Sequence, residues 1–401
     1  MDTEPGSSVV VPAIAAPSSL GCIRSLSQRG YRTIAVCDHR SNAVSKSRYC
    51  DTTVSAPSPH DDLIAYKDLL LSLAKEPDVL TIIPVREEDV YVLAKYRSEF
   101  AANIPTPWPS MGTLRQVQDR VALFDLADRV GVPTPDTAVL DEGGTWDSAM
   151  IYKARYALLA DEYIDTYPPD QCQSPPGTTY LEPGANLSVE TAREEMGHRP
   201  IVQEFIPDTN EYGYFALYDH GTQVASFQHR QTRAYNYAGG PSAYRESIRI
   251  PELERAGRRL LNELDWHGVA MVEFLRDEST GEFKLMEINP RFWSSLPFSI
   301  KAGVDFPYYY CLQAGGAQSG IQSEYETGLA GHLLRGEMAY LHSVARGENS
   351  LVDRPRLSTA VWDVLSSLYR HPQFDYLQRD DPLPFFQDMV NTVRQFAVTS
   401  S

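Results

Sequence analysis

Apolar and polar positions alternate along this chain in blocks whose periods change from strand to helix and back. The first block, VVVPAI at 9–14, is a short apolar run of strand length, and the turn-like APSSLG follows it. CIRSLSQRG then has helical spacing. TIAVCD (33–38) and VLTIIPV (79–85) read as two further strands, and HDDLIAYKDLLLSLAKEP between them repeats apolar residues at the helical period. EEDVYVLAKYRSEFAA (87–102) predicts one more helix. Strands alternating with helices imply βαβ units and a parallel sheet. The proline-rich IPTPWPS (104–110) marks a boundary.

Beyond it the pattern changes. TLRQVQDRVALFDLADRV predicts a single helix over 113–130 that stops at Gly131. Residues 164–187 hold five prolines and read as loop. A helix near 188–196 and a strand, IVQEFI (201–206), come next. YGYFALYD and QVASFQHRQTR, joined at His220-Gly221-Thr222, predict a hairpin. An amphipathic helix over 252–265 precedes a second hairpin, GVAMVEFLRD and GEFKLMEIN, turning at Glu278–Gly281. After Gly315-Gly316 the spacing is helical again, at about 331–346, 358–370 and 384–397. The fold class is therefore α/β followed by α+β, with a helical tail.

Composition narrows the class. A chain of 401 residues exceeds one ordinary core, so two or three domains are expected. Hydrophobic content of 42% with 22% charged residues fits a globular protein. No apolar run nears the ~20 residues of a membrane helix. Asp2 and Glu4 give an acidic start, unlike a signal peptide, so no membrane partner is expected. Five cysteines (22, 37, 50, 172, 311) form no CxxC pair and read as reduced, buried thiols of a cytoplasmic protein. The net charge of −17 argues against nucleic acid as a partner. Few lysines among many acids also fit a salt-adapted cytoplasm.

The chemistry concentrates in LMEINPRFW (285–293). Side chains alternate along a strand, so Glu287 and Asn289 share a face, with Met286 and Ile288 directed to the core. A turn centred on Ser279 sets Leu285 opposite Glu273, and Glu273 then lies one diagonal step from Glu287. Two carboxylates on one buried face repel each other unless a cation sits between them. Two carboxylates and an amide carbonyl suit Mg2+, with Mn2+ as the alternative, and leave positions for phosphate oxygens. Arg291 is placed to offer a planar fork to a phosphate. The first turn lacks G-x-G-x-x-G, which speaks against a nicotinamide enzyme even though Asp38 ends the second strand. No nucleophile triad is evident.

EF in one strand followed by MEINPR in the next resembles the metal-binding end of the ATP-grasp superfamily. WHGVAMVEF and NPRFW bring the chain nearest to its carboxylate–amine ligase and carbamoyl-phosphate-synthase-like branch. The resemblance covers about residues 9–316. It implies a Rossmann-like domain over 1–110 and an ATP-grasp domain over 111–316, with a nucleotide lobe at 111–206 and a metal lobe at 207–316. A helical extension, 317–401, follows. It also implies that Lys153 meets the α/β-phosphates, and that Glu204 with the backbone at Phe205 and Ile206 recognises adenine. Glu211 would take the ribose. Arg230 and Arg233 resemble the arginines that face the γ-phosphate and the acyl substrate. Two departures stand out. Arg120 occupies a place where the family often has lysine, and no glycine follows Lys153 until Gly177, where a glycine-rich flap is usual.

The function this implies is a Mg-dependent ligase that uses ATP to activate a small-molecule carboxylate as an acyl phosphate and join it to an amine. The rivals are a bicarbonate- or carbamate-activating enzyme of the same superfamily and a noncatalytic ATP-binding protein. The tail is expected either to dock on the ligase body or to form a homodimer contact.

Overall fold

The β-branched run at the N-terminus does form the centre of a buried parallel sheet. In the computed structural model, which describes residues 6–38, 42–207, 210–317, 319–347, 349 and 351–399 (side chains to 394), β1 (Ser8–Ala13) is covered on both faces along its whole length. α1 (Pro17–Gln28) leads to β2 (Arg32–Cys37), β3 (Thr52–Ser55), α2 (Leu63–Ala74) and β4 (Val79–Ile82). The strands stand in the order β3-β2-β1-β4, with every pair parallel. β3 was absent from the sequence reading, because TTVS carries one apolar residue in four. Asp2 and Glu4 lie outside the described residues.

Two predicted helices are each broken once. Residues 87–102 form α3 (Glu87–Lys95) and α4 (Arg97–Ala101), with Tyr96 between them. Residues 111–129 form α5 (Met111–Gln118) and α6 (Arg120–Arg129) rather than one rod. The break is Asp119, which has extended backbone (φ −91, ψ 107) and accepts a hydrogen bond from the Val121 N–H. Its carboxylate also takes both branches of Arg155, at 2.6 and 2.8 Å. A capping aspartate with its own arginine outweighs helix continuity here.

A small antiparallel sheet follows, ordered β10-β7-β12-β5, from β5 (Thr137–Val139), β7 (Met150–Lys153), β10 (Thr179–Leu181) and β12 (Ile201–Glu204). α7 (Val189–Met196) packs with it over Leu140, Tyr152 and Met196. The segment read as loop contributes β10 and half of two minor pairs. These pairs are β6 (Gly144–Thr145) with β11 (Asn186–Leu187), and β8 (Leu159–Ala160) with β9 (Cys172–Gln173).

The largest sheet has six strands in the order β17-β16-β13-β14-β15-β18. It comprises β13 (Glu211–Asp219), β14 (Thr222–Asn236), β15 (Gly239–Ser247), β16 (Gly268–Arg276), β17 (Phe283–Asn289) and β18 (Ala330–His332), all antiparallel. Both predicted hairpins are present. One face packs on α8 (Pro251–Glu263), where Gly257 lies so close to the Tyr214 ring that a Cβ would approach it to 2.2 Å. The other face, Phe215 and Phe227 with Trp293 and Phe298, joins α9 (Leu296–Lys301) and α10 (Phe306–Ala314) in one core with β1 and α1. The segment expected to be wholly helical supplies β18 as well as α11 (Leu334–Arg346), α12 (Leu357–Arg370) and α13 (Leu383–Thr399). Buried ion pairs bind it to the body: Arg24 to Asp381 at 2.8 Å, Arg233 to Glu337 at 2.8 Å, and Arg245 to Asp375. No helix of the described residues is long and apolar enough to cross a membrane.

Candidate active site

The hairpin β16–β17 carries the proposed cation ligands, and its register differs from the sequence reading. Glu273 stands directly opposite Glu287, not one diagonal away. Nearer the turn, Phe274 faces Leu285, so Met286 is an extra residue bulged out of the ladder. The bulge has a second consequence. Leu285 and Ile288 are the buried pair (0 and 3% exposed), while Met286 turns to the cleft beside Glu287 instead of to the core. One inserted residue thus brings the two carboxylates face to face.

A cleft of about 420 Å³ opens over this pair. Glu273, Glu287, Lys153 and Arg291 line it, together with Glu211 at the start of β13. Asn289 connects the acids: its Nδ2 donates to Glu273 Oε1 at 3.1 Å and to Glu287 Oε1 at 3.2 Å. Its Oδ1 accepts from Arg291 Nη2 at 2.9 Å. Arg120, the first residue of α6, donates to Glu287 Oε2 at 2.9 Å and to the Ala154 carbonyl at 3.0 Å. The break at Asp119 is what aims it there. Its Nε is buried with no hydrogen-bond acceptor.

The electrostatics follow from crowding. Burial, then the facing Glu287, pushes the Glu273 carboxyl well above the usual carboxylate range. Burial acts on Glu287 in the same sense, but Arg120 and Lys153 outweigh it and hold that carboxyl low. Lys153, buried on β7, is pulled down to about 7 by burial and by Arg120, with Glu287 and Glu273 opposing. Two acids with unlike proton affinities beside three cations form a site in which like charges are compressed.

Residue Glu87 was missed by the sequence reading. It begins α3 at the carboxyl end of β4, and it accepts from Arg291 Nε at 3.0 Å and from Gln118 Nε2 at 2.8 Å. Its position just past a parallel strand end was the available signal, since open α/β sheets collect ligand-facing groups there. His229 is a further residue of this cleft. Its buried ring lines the cleft edge-on to Phe215, with Nδ1 unpartnered, and burial with Arg245 nearby holds it neutral.

Other expected residues lie apart from this group. Arg230 pairs with Glu246 at 2.8 Å on the sheet face away from His229. Arg233 makes a two-pronged pair with Glu337 and donates to Ser367. Glu204, at the end of β12, pairs with Lys284 at 3.1 Å and accepts from the Asp136 N–H. The Phe205 N–H is given to the Ala149 carbonyl, its ring meets Tyr180 edge-on, and Ile206 is buried. In place of a glycine-rich flap, the segment after Lys153 is fastened to the first sheet's helices. Asp161 holds Lys95 and Tyr91, and Ser174 donates to Glu88.

Searches with this architecture find a consistent set of solved structures. Pyruvate carboxylase from Rhizobium etli superposes with a TM-score of 0.60 at 18% identity over 81% of this chain. This chain spans 29% of that protein's length. The biotin carboxylase domain of the Hydrogenobacter thermophilus 2-oxoglutarate carboxylase, solved as a dimer with MgADP, ADP and bicarbonate, gives 0.58 at 15% identity, covering 80% of this chain and 73% of that one. An L-amino acid ligase from Bacillus licheniformis gives 0.59 at 13%, covering 82% and 79%. The chain has the ATP-grasp fold. No family model and no curated protein matches the sequence itself. In this fold β7 brings Lys153 to one side of the cleft and β16–β17 bring the facing glutamates to the other, so these residues converge on one volume.

Proposed function

We propose that the protein is an ATP-dependent ligase that activates a small carboxylate and joins it to an amine. The observation that carries this reading is the direct opposition of Glu273 and Glu287 beside Lys153, Arg120 and Arg291. The donor set fits Mg2+: two carboxylates with an amide next to them, all oxygen ligands once Asn289 presents Oδ1. The orphaned Nε of Arg120 fits a phosphate oxygen. When bound, MgATP would supply the phosphoryl group that turns the carboxylate into an acyl phosphate, leaving ADP; the amine would then attack the acyl carbon and release phosphate.

The chain's own residues orient and neutralise. Glu273, Glu287 and Asn289 would hold the cation, while Lys153 and Arg120 neutralise phosphate oxygens. Glu87, Asn289 and the Phe292 carbonyl each take one nitrogen of the Arg291 guanidinium, which holds it at the cleft wall in a set plane. Glu211 stands at the cleft mouth as the ribose contact. The strand end Glu204–Ile206 is the candidate adenine edge, with Lys284 holding the Glu204 side chain. Arg233 acts indirectly: its pair with Glu337 anchors the β14–β15 hairpin, whose Gly240 and Ser242 line the cleft. Arg230 braces β15 through Glu246.

ADP release, measured across pairs of carboxylates and amines with Mg2+, tests the reading. Release with bicarbonate alone would move the reaction to carboxyl activation of bicarbonate, which the carboxylase relative's contents make the first rival. A noncatalytic nucleotide-binding role has one supporting observation, the anchored segment after Lys153.

The outward face of α12 supports a homodimer. Leu357, Val361, Trp362, Leu365 and Tyr369 are all exposed and fall within an arc of ~140° at 100° per residue. Ala360, Val364 and Ser367 occupy the buried side. The open face presents roughly 600 Å² of apolar area, at the upper end of a monomer's largest patch and most of the ~800 Å² per partner of a stable interface. α12 carries one acid (Asp363) and one base (Arg370), so in a chain of net charge −17 this face does not repel its own copy.

A further inference from the structure

The far end of the β13–β14 hairpin holds a cluster that the ligase chemistry does not use. Asp219 closes β13, His220 begins the two-residue turn, and His267 leads into β16. Asp219 Oδ1 lies 3.4 Å from His267 Nδ1 and 3.9 Å from His220 Nε2. One ligand atom from each residue falls within 4.8 Å of the others. A tetrahedral ion with bonds of about 2.0–2.2 Å holds its ligand atoms roughly 3.4 Å apart.

We infer that Asp219, His220 and His267 form a second metal site, for a borderline divalent ion such as Zn2+. Two imidazoles and one carboxylate favour such an ion over Mg2+, which prefers oxygen alone. The site lies eight residues along β13 from Glu211, roughly 26 Å at ~3.3 Å per residue, so it is separate from the cleft.

Three observations support it. First, His267 Nδ1 is held toward Asp219 by two long contacts, with the His220 N–H and with Gln313 Nε2, each at 3.3 Å. Gln313 also donates to the Tyr218 carbonyl at 3.0 Å and reaches Asp219 Oδ1 at 3.4 Å, which positions the carboxylate. Second, the two imidazole rings stack at 3.9 Å and 11°, with His220 on the solvent side, where it can tilt its nitrogen toward an ion. Third, the backbone fixes the ligands: His220 and Gly221, both at positive φ, form the tight two-residue turn that sets His220 beside Asp219. His220 (φ 42) and Asp265 (φ 45) are the only non-glycine residues with positive φ among the described residues. The Asp265 carboxylate sits against Gly221, where a Cβ would come within 2.6 Å of Oδ1. A bound ion would clamp the β13–β14 turn to the start of β16, the strand that carries Glu273.

The test titrates Zn2+ into the chelator-treated full chain against a chromogenic chelator, with excess Mg2+ present. One equivalent bound at micromolar concentration or tighter is expected, with a rise in Tm. His220→Ala, a change at an exposed turn, should weaken binding at least about tenfold and remove the Tm rise, and His267→Gln should do the same. Displacement by Mg2+, a need for millimolar Zn2+, or unchanged binding in both variants would overturn the site.

Discussion

Lys153 shows what one buried side chain contributes and how far it was legible. The sequence placed a lysine at the end of an apolar strand; only the fold shows that burial and Arg120 pull it down to about 7. Its sign is definite. The unfolded chain keeps this proton to about 10.5, so the folded state loses it first, and stability from this group rises as pH climbs from about 7 toward that value. Bound phosphate reverses the preference, because it favours the charged ammonium. Nucleotide binding at pH 8 is therefore expected to take up a proton, and calorimetry in buffers of differing ionisation heat reads that uptake directly. Lys153→Ala should abolish it and weaken binding; unchanged affinity would remove Lys153 from the phosphate site. Glu273, Glu287, Asn289 and Arg291 were legible because charged residues interrupt an apolar strand. Glu87 was not, because an acid at a helix start reads equally well as a dipole partner. Arg230 and Arg233 drew attention through the resemblance, yet each is taken by an acid of another element, Glu246 on the neighbouring β15 and Glu337 on α11, 104 residues on.

Among the elements, the βα alternation and both hairpins could be read from periodicity, whereas their interruptions could not. The Met286 bulge leaves no mark in the hydrophobic pattern, since LMEIN serves either register. The break at Asp119 hides in the same way, because the apolar spacing continues across it; what ends α5 is a contact to Arg155, 36 residues on. Asp119→Ala removes a cap and leaves Arg155 unpaired. A loss of about 1–2 kcal/mol in urea unfolding is expected, with weaker nucleotide binding as Arg120 loses its direction. Gly268, which opens β16, has φ +98, and a Cβ there would come within 2.4 Å of the Pro107 carbonyl. Gly268→Ala should cost about 1–3 kcal/mol or more, since strain and a backbone clash combine; a neutral result would show that β16 does not abut the 104–110 segment so closely.

At the scale of the whole molecule, the chain builds a parallel sheet and a six-stranded antiparallel sheet around one shared core, with the C-terminal segment stitched to both. That stitching was beyond the sequence, because Arg24–Asp381 and Arg245–Asp375 pair residues 357 and 130 positions apart. The exposed face of α12 predicts twice the chain mass in light scattering, and Trp362→Glu should return it to that of one chain; a wild-type monomer would dismiss the interface. The account rests most heavily on the carboxylates that meet across β16 and β17. Its most direct test is Mg2+-dependent ADP release by the wild type and by Glu287→Gln, with circular dichroism and Tm confirming that both are folded. The account predicts turnover in the wild type with a suitable carboxylate and amine, and none in the folded variant. Near-normal turnover in Glu287→Gln would contradict it.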